Sequence, residues 1–482
     1  MKDMRFMRWG GIVVLLLTGC AHIPVSQESS KPLTSVGLKS TVTHYSVLQG
    51  KGSWPRPQWW KDFGDPSLNS LEIDALSTNP SLAEAVARIR LADAKVAYTA
   101  AATGVNLSLD GSITRQRLSE NGLIPPPFAG STVNFGDLAA NYSQDFDFWG
   151  LNKARLAAAQ ANLNEAYASE DEARMLIAVS VARTWFNLAK VEKDLSLEHS
   201  YLYLVKTEFQ LDSAREKAGL ESNLPVIDDK AKLESVLTDL HRLEALDEEG
   251  RYQLAALIGK TPDVALEFPP ARLPRIISYG IPSQLPFDLL SRRADIVELR
   301  DRLEASQSEI KAAKAAFYPN VNLSAMVGFQ SITLGSLFKS GNLAASFGPA
   351  FHLPIFEGGV LRADLSASEA AYDENVAQYN HEVIGAAKQV AQALSGLNAE
   401  SSQLDHAKLA LIDANEAENL TRHRYESGIT DLSAELLGKE NQILAMRTVN
   451  ALKAENLLAR LDLIKALGGG YVMPTEQAAR KK

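Results

Sequence analysis

The sequence predicts a mixed α and β membrane protein. Three copies would form one trimeric 12-strand β-barrel, with four strands per chain, continuous with a long α-helical coiled-coil barrel. Three observations lead to this fold class: two helical segments much longer than those of ordinary globular proteins, four short segments of alternating polarity, and an internal two-fold repeat. The elements that produce each observation follow in chain order.

Residues 1–19 are predicted to be a lipoprotein signal peptide. Lys2, Arg5 and Arg8 precede the short apolar run GGIVVLLLTG, which is the order of an export signal. The run ends at Cys20, the only cysteine, so a disulfide within the chain is excluded. The spacing before Cys20 resembles a bacterial lipobox, which implies lipidation of this thiol. The polar residues 20–65 are then a lipidated tether, and by the same resemblance Ala21 favours the outer membrane.

A first structural repeat is predicted over residues 66–260. Helical periodicity begins near Pro66 and gives way to a β-hairpin at about 104–149, where the segments VNLSLDGSI and AANYSQDFDFW alternate apolar and polar residues. A very long helix follows from Gly150 to about Lys217, and apolar residues occupy its heptad positions except at Glu198. A second helix completes the repeat.

The same pattern then occurs again. A proline-rich linker over 261–285 leads to a second repeat at 286–467, with a β-hairpin at about 320–356, and to a C-terminal tail at 468–482. Gly150 and Gly359 lie 209 positions apart, as do Gly219 and Gly428. This constant offset across long segments indicates a duplication within the chain.

The strand segments have the length and polarity of transmembrane β-strands. A soluble antiparallel sheet would alternate in the same way, so that alternative stays open from the strands alone. Four strands cannot close a barrel, and open sheet edges are not tolerated in lipid. Two copies would give eight strands with a filled interior, whereas three would give twelve and leave a pore. Asp110, Asp145 and Asp147 lie on the polar faces, and because a charge facing lipid is costly we expect them in the barrel lumen.

Other functional classes lack their motifs. The net charge is −9 and basic residues do not cluster, which argues against nucleic acid as a partner. The eight histidines do not have metal-ligand spacing, and neither a phosphate-binding glycine loop nor GxSxG occurs. We therefore expect no enzymatic activity, no catalytic residues, no metal and no cofactor.

The chain resembles the TolC-like outer membrane efflux proteins, in their lipoprotein branch, along almost its whole length. The matching motifs occur in family order: WWKDFGDPSLNSL at 59, NPSL at 79, LLSRRADI at 289, AAKAAFYPNVNLS at 312, FGPAFHLPIFEGGVLRA at 347 and RYESGITDL at 424. The resemblance implies a homotrimeric exit duct without catalysis of its own, docked to a periplasmic adaptor (membrane fusion) protein and an inner membrane pump. RQRLSENG at 115 and IKALGGGY at 464 resemble members associated with drug and aromatic-acid export.

The resemblance also implies site residues. The adaptor would contact the helix-to-helix turns at the periplasmic end, and these correspond to Arg215, Gly219, Leu220, Arg424, Gly428 and Ile429. Family members often carry a DAQ-like triplet at the periplasmic constriction, whereas this chain has SAELLGKENQ from Ser433. Asp431, Glu435 and Glu440 are the candidates for an acidic ring at that gate.

Two other functions fit the same sequence. The duct could serve type I protein secretion, which a neighbouring gene for a peptidase-type exporter would indicate. The chain could instead be a lipid-tethered periplasmic coiled-coil scaffold with soluble hairpins. The scaffold would be a water-soluble protein once its lipid is removed, whereas the duct would be a trimer that requires detergent.

Overall fold

The structure is a computed structural model that describes residues 53–275 and 289–472, together with a few positions between 30 and 44. Contacts divide the chain into two compact units. The sheet unit comprises Arg88–Ala166 and Leu299–Tyr379 with the start of the chain, and the helical unit comprises Leu33–Ala87, Tyr167–Glu298 and Asn380–Lys482. Cys20 and the signal peptide lie outside the described residues.

In chain order, the helices and strands are α1 (Pro66–Thr78), α2 (Pro80–Ala102), β1 (Asn106–Arg117), β2 (Thr132–Phe146), α3 (Leu151–Lys217), α4 (Leu224–Leu257), α5 (Ala294–Ala315), β3 (Asn320–Ser331), β4 (Leu343–His352), α6 (Val360–Glu426) and α7 (Leu432–Ala466). From α2 onward, the helices and strands of the first half recur in the same order in the second, although β4 is shorter than β2 and α1 has no counterpart among the described residues. Both long helices, α3 and α6, have 67 residues. Among the described helices, none combines the length and the apolar character needed to cross a membrane.

In the sheet unit, the four strands form one antiparallel sheet in the order β1-β2-β3-β4. The two hairpins are therefore joined through β2 and β3, which pair from Gly136 with Ser331 to Phe146 with Val321. This pairing connects the two repeats side by side. Strands β1 and β4 are left as the two edges of the sheet.

In the helical unit, an aromatic cluster forms the largest apolar core. Trp59, Trp60 and Phe63 precede α1 and pack against Phe186 of α3 within this core. Asp65 caps α1, because its Oδ1 accepts hydrogen bonds from two backbone N–H groups of the first turn. Its other oxygen accepts from Trp185 Nε1 at 2.7 Å. The motif WWKDFGDPSL thus attaches the start of the first repeat to its longest helix.

Helix α3 packs on two neighbours of the helical unit, on one of them through its predicted heptad positions. Leu202 and Val205 contact α4 through Val236 and Leu240. A second cluster joins α3 to α7, and it consists of Leu197, Leu204, Leu436 and Ile443. Helix α3 is therefore held between one helix of each repeat, as a coiled-coil arrangement requires.

The end of each repeat is held by a buried polar clamp, and the two clamps differ in chemistry. In the first repeat, Asn79 Nδ2 donates to the Leu257 carbonyl at 2.7 Å. In the second, Arg293 Nη1 donates to the Ala466 carbonyl at 3.2 Å. The two carbonyls lie 209 positions apart, which is the repeat offset. The clamp therefore occurs at the equivalent place in both repeats, with a neutral donor in the first and a charged donor in the second.

Carboxylates from several helices surround Arg293, the residue of the charged clamp. Arg293 is 4% exposed, and its guanidinium forms a two-bond contact with Asp295 at 3.1 and 2.5 Å. It also donates to Gln389 Oε1 at 2.9 Å and lies 3.7 Å from Glu382 Oε1. Burial by itself lowers the pKa of Arg293, but the hydrogen bond and negative charge of Asp295, together with the neighbouring acids, outweigh it, so the net change is a raised pKa. The guanidinium is thus the electrostatic centre of this part of the helical unit.

Glu172 of α3 is the group in this cluster whose charge depends on pH near neutrality. Burial raises the pKa of Glu172 to about 7, and the negative charge of Asp295 adds to the increase, while Arg293 and Lys465 oppose it. The folded protein therefore binds a proton here that the unfolded chain releases near its ordinary pKa of 4.5. This group lowers stability as pH rises from about 4.5 to about 7, after which its effect is constant.

We expect Glu172→Gln to stabilise the protein at pH 8 by up to about 3 kcal/mol and to have little effect at pH 5, because the amide carries no charge to desolvate. Thermal unfolding in detergent at both pH values measures the difference. Glu249→Gln, an exposed position on α4, is the matched control. An equal change of the melting temperature at pH 5 and pH 8 would contradict the assignment.

Candidate functional site

The sheet has one apolar and one polar face, and each face is continuous across all four strands. On the apolar face the largest side chains are highly exposed in the single chain, with Leu107 at 72% and Phe347 at 77%. One row of this face, taken across the paired positions of β1 to β4, consists of Leu107, Tyr142, Ala325 and Phe347. Exposed leucine and phenylalanine in a continuous band are typical of a surface that faces lipid.

The opposite face carries small and polar side chains. Asp110 accepts hydrogen bonds from Ser108 Oγ and Asn141 Nδ2, both at 2.8 Å. Asp145 pairs across the ladder with Asn322 and lies on the same side of the sheet. The two aspartates therefore lie on the face that is predicted to line the lumen.

Asp147 differs from the other two predicted lumen residues. Strand β2 ends at Phe146, so Asp147 is outside the strand on which the alternation had placed it. Its carboxylate instead accepts hydrogen bonds from the backbone N–H groups of Asn152 and Lys153, at 3.1 and 2.8 Å. Negative charge is favourable at this end of a helix. Asp147 thus caps the first turn of α3, a role that alternation alone could not distinguish from a strand position.

The two predicted docking turns have the same backbone geometry. Gly219 and Gly428 both have φ of +69°. After each glycine, the next backbone N–H bonds to a carbonyl five residues earlier, at 2.9 Å, from Leu220 to Arg215 and from Ile429 to Arg424. This is the Schellman ending of a helix, which reverses the chain within a few residues. Leu220 and Ile429 are 78% and 66% exposed, so each turn presents one apolar side chain.

Arg215 is more than a turn residue, because it joins the end of α3 to the start of α7. Its guanidinium donates to Asp431 Oδ2 at 3.3 Å and to Ser433 Oγ at 3.1 Å. Asp431 also caps α7 by accepting from the Ala434 N–H at 3.1 Å. Arg424, its counterpart in the second repeat, is exposed. The two turns are thus alike in backbone and different in side-chain contacts.

All three candidate gate acids have cationic partners in the same chain. Besides the Asp431 contact, Glu435 is buried and lies 2.7 Å from Lys439 Nζ. Glu440 accepts from Lys232 Nζ and from the Tyr201 hydroxyl, both at 2.8 Å. Burial acts to raise the pKa of Glu440, but these two hydrogen bonds outweigh it and the net change is a lower pKa. The acids are therefore compensated within one subunit, and of the three Asp431 is the most exposed.

Tyr201 is the centre of a contact network that the sequence did not predict. Lys232 and Arg447 lie over its ring at 5.6 and 5.1 Å. Arg447 also pairs with Glu198, which is 3% exposed. Glu198 is the residue that interrupts the heptad, so the sequence did contain a signal: a carboxylate at a seam position requires a cation on the facing helix.

The sheet and the helices together define a class of protein. A four-stranded sheet with an apolar face and two unpaired edges must be completed by other copies if it is to lie in a membrane. The long paired helices end in exposed turns that suit contact with another protein. A chain with this combination of features is one subunit of an assembled membrane channel.

The chain belongs to the outer membrane efflux protein family, whose model matches residues 73–260 and 285–469. Two relatives have the length of this chain. The multidrug resistance outer membrane protein MdtP of Escherichia coli K12 is 28% identical over 471 residues, covering 95% of this chain and 94% of the relative. The corresponding protein MdtQ of Escherichia coli O157:H7 is 29% identical over 481 residues, covering 95% and 97%.

Solved structures agree with this family. The outer membrane protein VceC of Vibrio cholerae superposes with a TM-score of 0.77 at 33% identity, covering 87% of this chain and all of that one. The outer membrane channel OprN gives 0.82 at 25% identity, with 92% and 99% covered. The predicted fold class, the resemblance and the outer membrane location are thereby confirmed. This chain is an outer membrane efflux channel, and its family is not a class of enzymes.

Proposed function

We propose that the chain is a passive homotrimeric duct through which drugs or other small toxic compounds leave the cell, without catalysis of its own. The observation that carries the proposal is the four-stranded sheet whose edges, β1 and β4, are unpaired among the described residues. Each strand is antiparallel to the next, so β1 and β4 run in opposite directions. The β4 edge of one subunit can therefore pair in antiparallel fashion with the β1 edge of the next.

The number of subunits follows from the size of the pore. Eight strands from two copies would enclose only side chains, whereas twelve from three copies leave a water-filled channel. The continuous apolar face would then contact outer membrane lipid, and the face with Asp110 and Asp145 would line the lumen. This orientation is supported because the apolar row is exposed in the single chain and the aspartates lie on the other side.

The remaining parts of the proposal concern attachment and partners. Cys20 would carry the lipid that anchors the chain at the membrane surface. The turns at 215–220 and 424–429 would dock a periplasmic adaptor, which connects the duct to an inner membrane pump. Support comes from the matching turn geometry and from Leu220 and Ile429, which are apolar side chains exposed among the described residues.

The constriction would be formed near the start of α7. All three acids pair with cations of the same chain, but Asp431 is far more exposed than Glu435 and Glu440, which favours Asp431 as the acid that faces the pore axis. The relatives' names support drugs as the exported compounds, since MdtP and MdtQ are named for multidrug resistance.

Disulfide cross-linking across the subunit boundary tests the duct. Because Cys20 is the only cysteine, a Cys20→Ser background is free of other thiols. Into it we would introduce one cysteine on β1, at Ser108 or Ser112, and one on β4, at Ala344 or Ser346. Oxidation of the detergent-solubilised protein should give a ladder that ends at the trimer mass.

The matched control uses a pair inside one subunit. Ser143 and Ser324 are direct partners on β2 and β3, so cysteines there should form a bridge without any change in mass. A ladder that stops at the dimer or continues above the trimer would contradict the assembly. A monomer that needs no detergent would instead support the scaffold alternative.

A further inference from the structure

The helical unit contains a basic cavity, and its lining residues belong neither to the strands nor to the docking turns nor to the gate acids. It has a volume of about 660 Å³ and lies where the segment 270–273 crosses α3, α6 and α7. Its walls are partly apolar, formed by Leu273, Leu411, Met446 and Val449. This volume and this mixture of walls are usual for a small-molecule site.

The charges in the cavity are nearly all positive, although the whole chain has a net charge of −9. Lys193, Arg272 and Lys453 contribute cations. The one acid among the lining residues is Glu192, and it is neutralised by Arg251 and by a hydrogen bond from the Ala271 N–H at 2.7 Å. The cavity therefore attracts anions.

Lys453 shows that this charge is incompletely compensated. Its Nζ donates to the Leu273 carbonyl at 3.2 Å, a single neutral acceptor among the described residues for a group with three donors. Burial lowers the pKa of Lys453, and the nearby positive charge of Lys408 lowers it further. A bound anion would offset both effects, because it supplies an acceptor and an opposite charge.

We propose that this cavity binds small organic anions with an apolar body, the carboxylate or sulfonate contacting Arg272 and Lys453 and the body packing on Leu411, Met446 and Val449. Lys193 at the rim adds attraction. The inference concerns binding by the helical unit and goes beyond the duct function, so either can fail without the other.

The test uses the full-length protein in nanodiscs and the probe 6-fluoro-2-naphthoate, followed by ¹⁹F NMR with empty nanodiscs subtracted. We expect saturable binding of the carboxylate and none of the neutral 6-fluoro-2-naphthamide. Arg272→Gln and Lys453→Gln should each weaken binding about tenfold, as expected for loss of a charge-assisted contact. Lys230→Gln, an exposed α4 residue with the same change in net charge, should bind as the wild type does.

Two results would overturn the proposal: equal binding of the naphthoate and the naphthamide, or wild-type affinity in both cavity variants. Lys453 is half-buried, so its variant is accepted only if its thermal unfolding matches that of the wild type. Arg272 is exposed on the 270–273 segment, and its variant keeps the test decisive if Lys453→Gln unfolds.

Discussion

Gly259→Ala is expected to destabilise the protein by roughly 2–5 kcal/mol. Gly259 ends α4 with φ of +68°, a conformation that costs an alanine about 1–2 kcal/mol. A Cβ atom there would also lie 2.4 Å from the Thr78 carbonyl oxygen, which is backbone and cannot rotate away. Forcing the main chains apart adds a cost comparable to overpacking a core, about 1–3 kcal/mol. Thermal unfolding in detergent measures the loss.

The chain contains a control with the same backbone conformation and open space around it. Gly219 has φ of +69° and no heavy atom within 4 Å of the Cβ position. Gly219→Ala should therefore show only the conformational cost of about 1–2 kcal/mol. Gly468, the counterpart of Gly259 in the second repeat, is closer still, with 1.8 Å to the Arg292 carbonyl oxygen. If Gly259→Ala and Gly219→Ala melt at the same temperature, the close approach is not a determinant of stability.

Arg293→Met is expected to cost about 3–5 kcal/mol, because removing the buried guanidinium leaves its half-buried carboxylate partners without compensation. Asp295 loses its two-bond contact, and Glu382 and the Ala466 carbonyl lose a cationic neighbour. The loss should be larger at pH 8 than at pH 5.5, since Glu172, whose pKa is about 7, is then also charged. The measurement is the melting temperature of both proteins at each pH.

Arg300→Met on the same helix is the matched control. Arg300 is 51% exposed and lies 3.7 Å from Asp301, and such surface pairs contribute about 0–1 kcal/mol. A loss in Arg293→Met that is independent of pH would indicate missing packing volume rather than unpaired charge. A loss no greater than that of Arg300→Met would show that the charged clamp does not stabilise the fold.

The two clamps explain why the expected effect of Arg293→Met is electrostatic, whereas that of Gly259→Ala is steric. In each repeat the last helix ends at a glycine, Gly259 or Gly468. A side chain from the start of the same repeat donates a hydrogen bond to a carbonyl just before that glycine. In the first repeat, Asn79 does this without charge, so Gly259 reports on packing alone. In the second, Arg293 pairs with acids of α5 and α6, so its contribution to stability depends on pH.

Much of the fold was determined by the sequence through local chemistry. Alternation of apolar and polar residues defined the strands and their two faces, because successive side chains of a strand point to opposite sides. Gly219 and Gly428 marked the helix ends, because glycine adopts positive φ at no steric cost. The constant offset of 209 positions showed the duplication, and Glu198 marked a place where the coiled-coil seam needed a cation. The strand and helix-end signals lie within a few residues of the features that they predict, whereas the cation that pairs with Glu198 is Arg447, 249 positions away.

Only the tertiary structure decided which polar groups meet. Arg293 contacts the Ala466 carbonyl across 173 positions, and Lys232 contacts Glu440 across 208. The basic cavity likewise combines α3, the 270–273 segment and α7. Asp147 lies outside the strand, and its carboxylate accepts hydrogen bonds from two N–H groups in the first turn of α3. Periodicity specifies which face of an element is buried, but an ion pair depends on the packing of helices far apart in the chain, and that packing has no local signature.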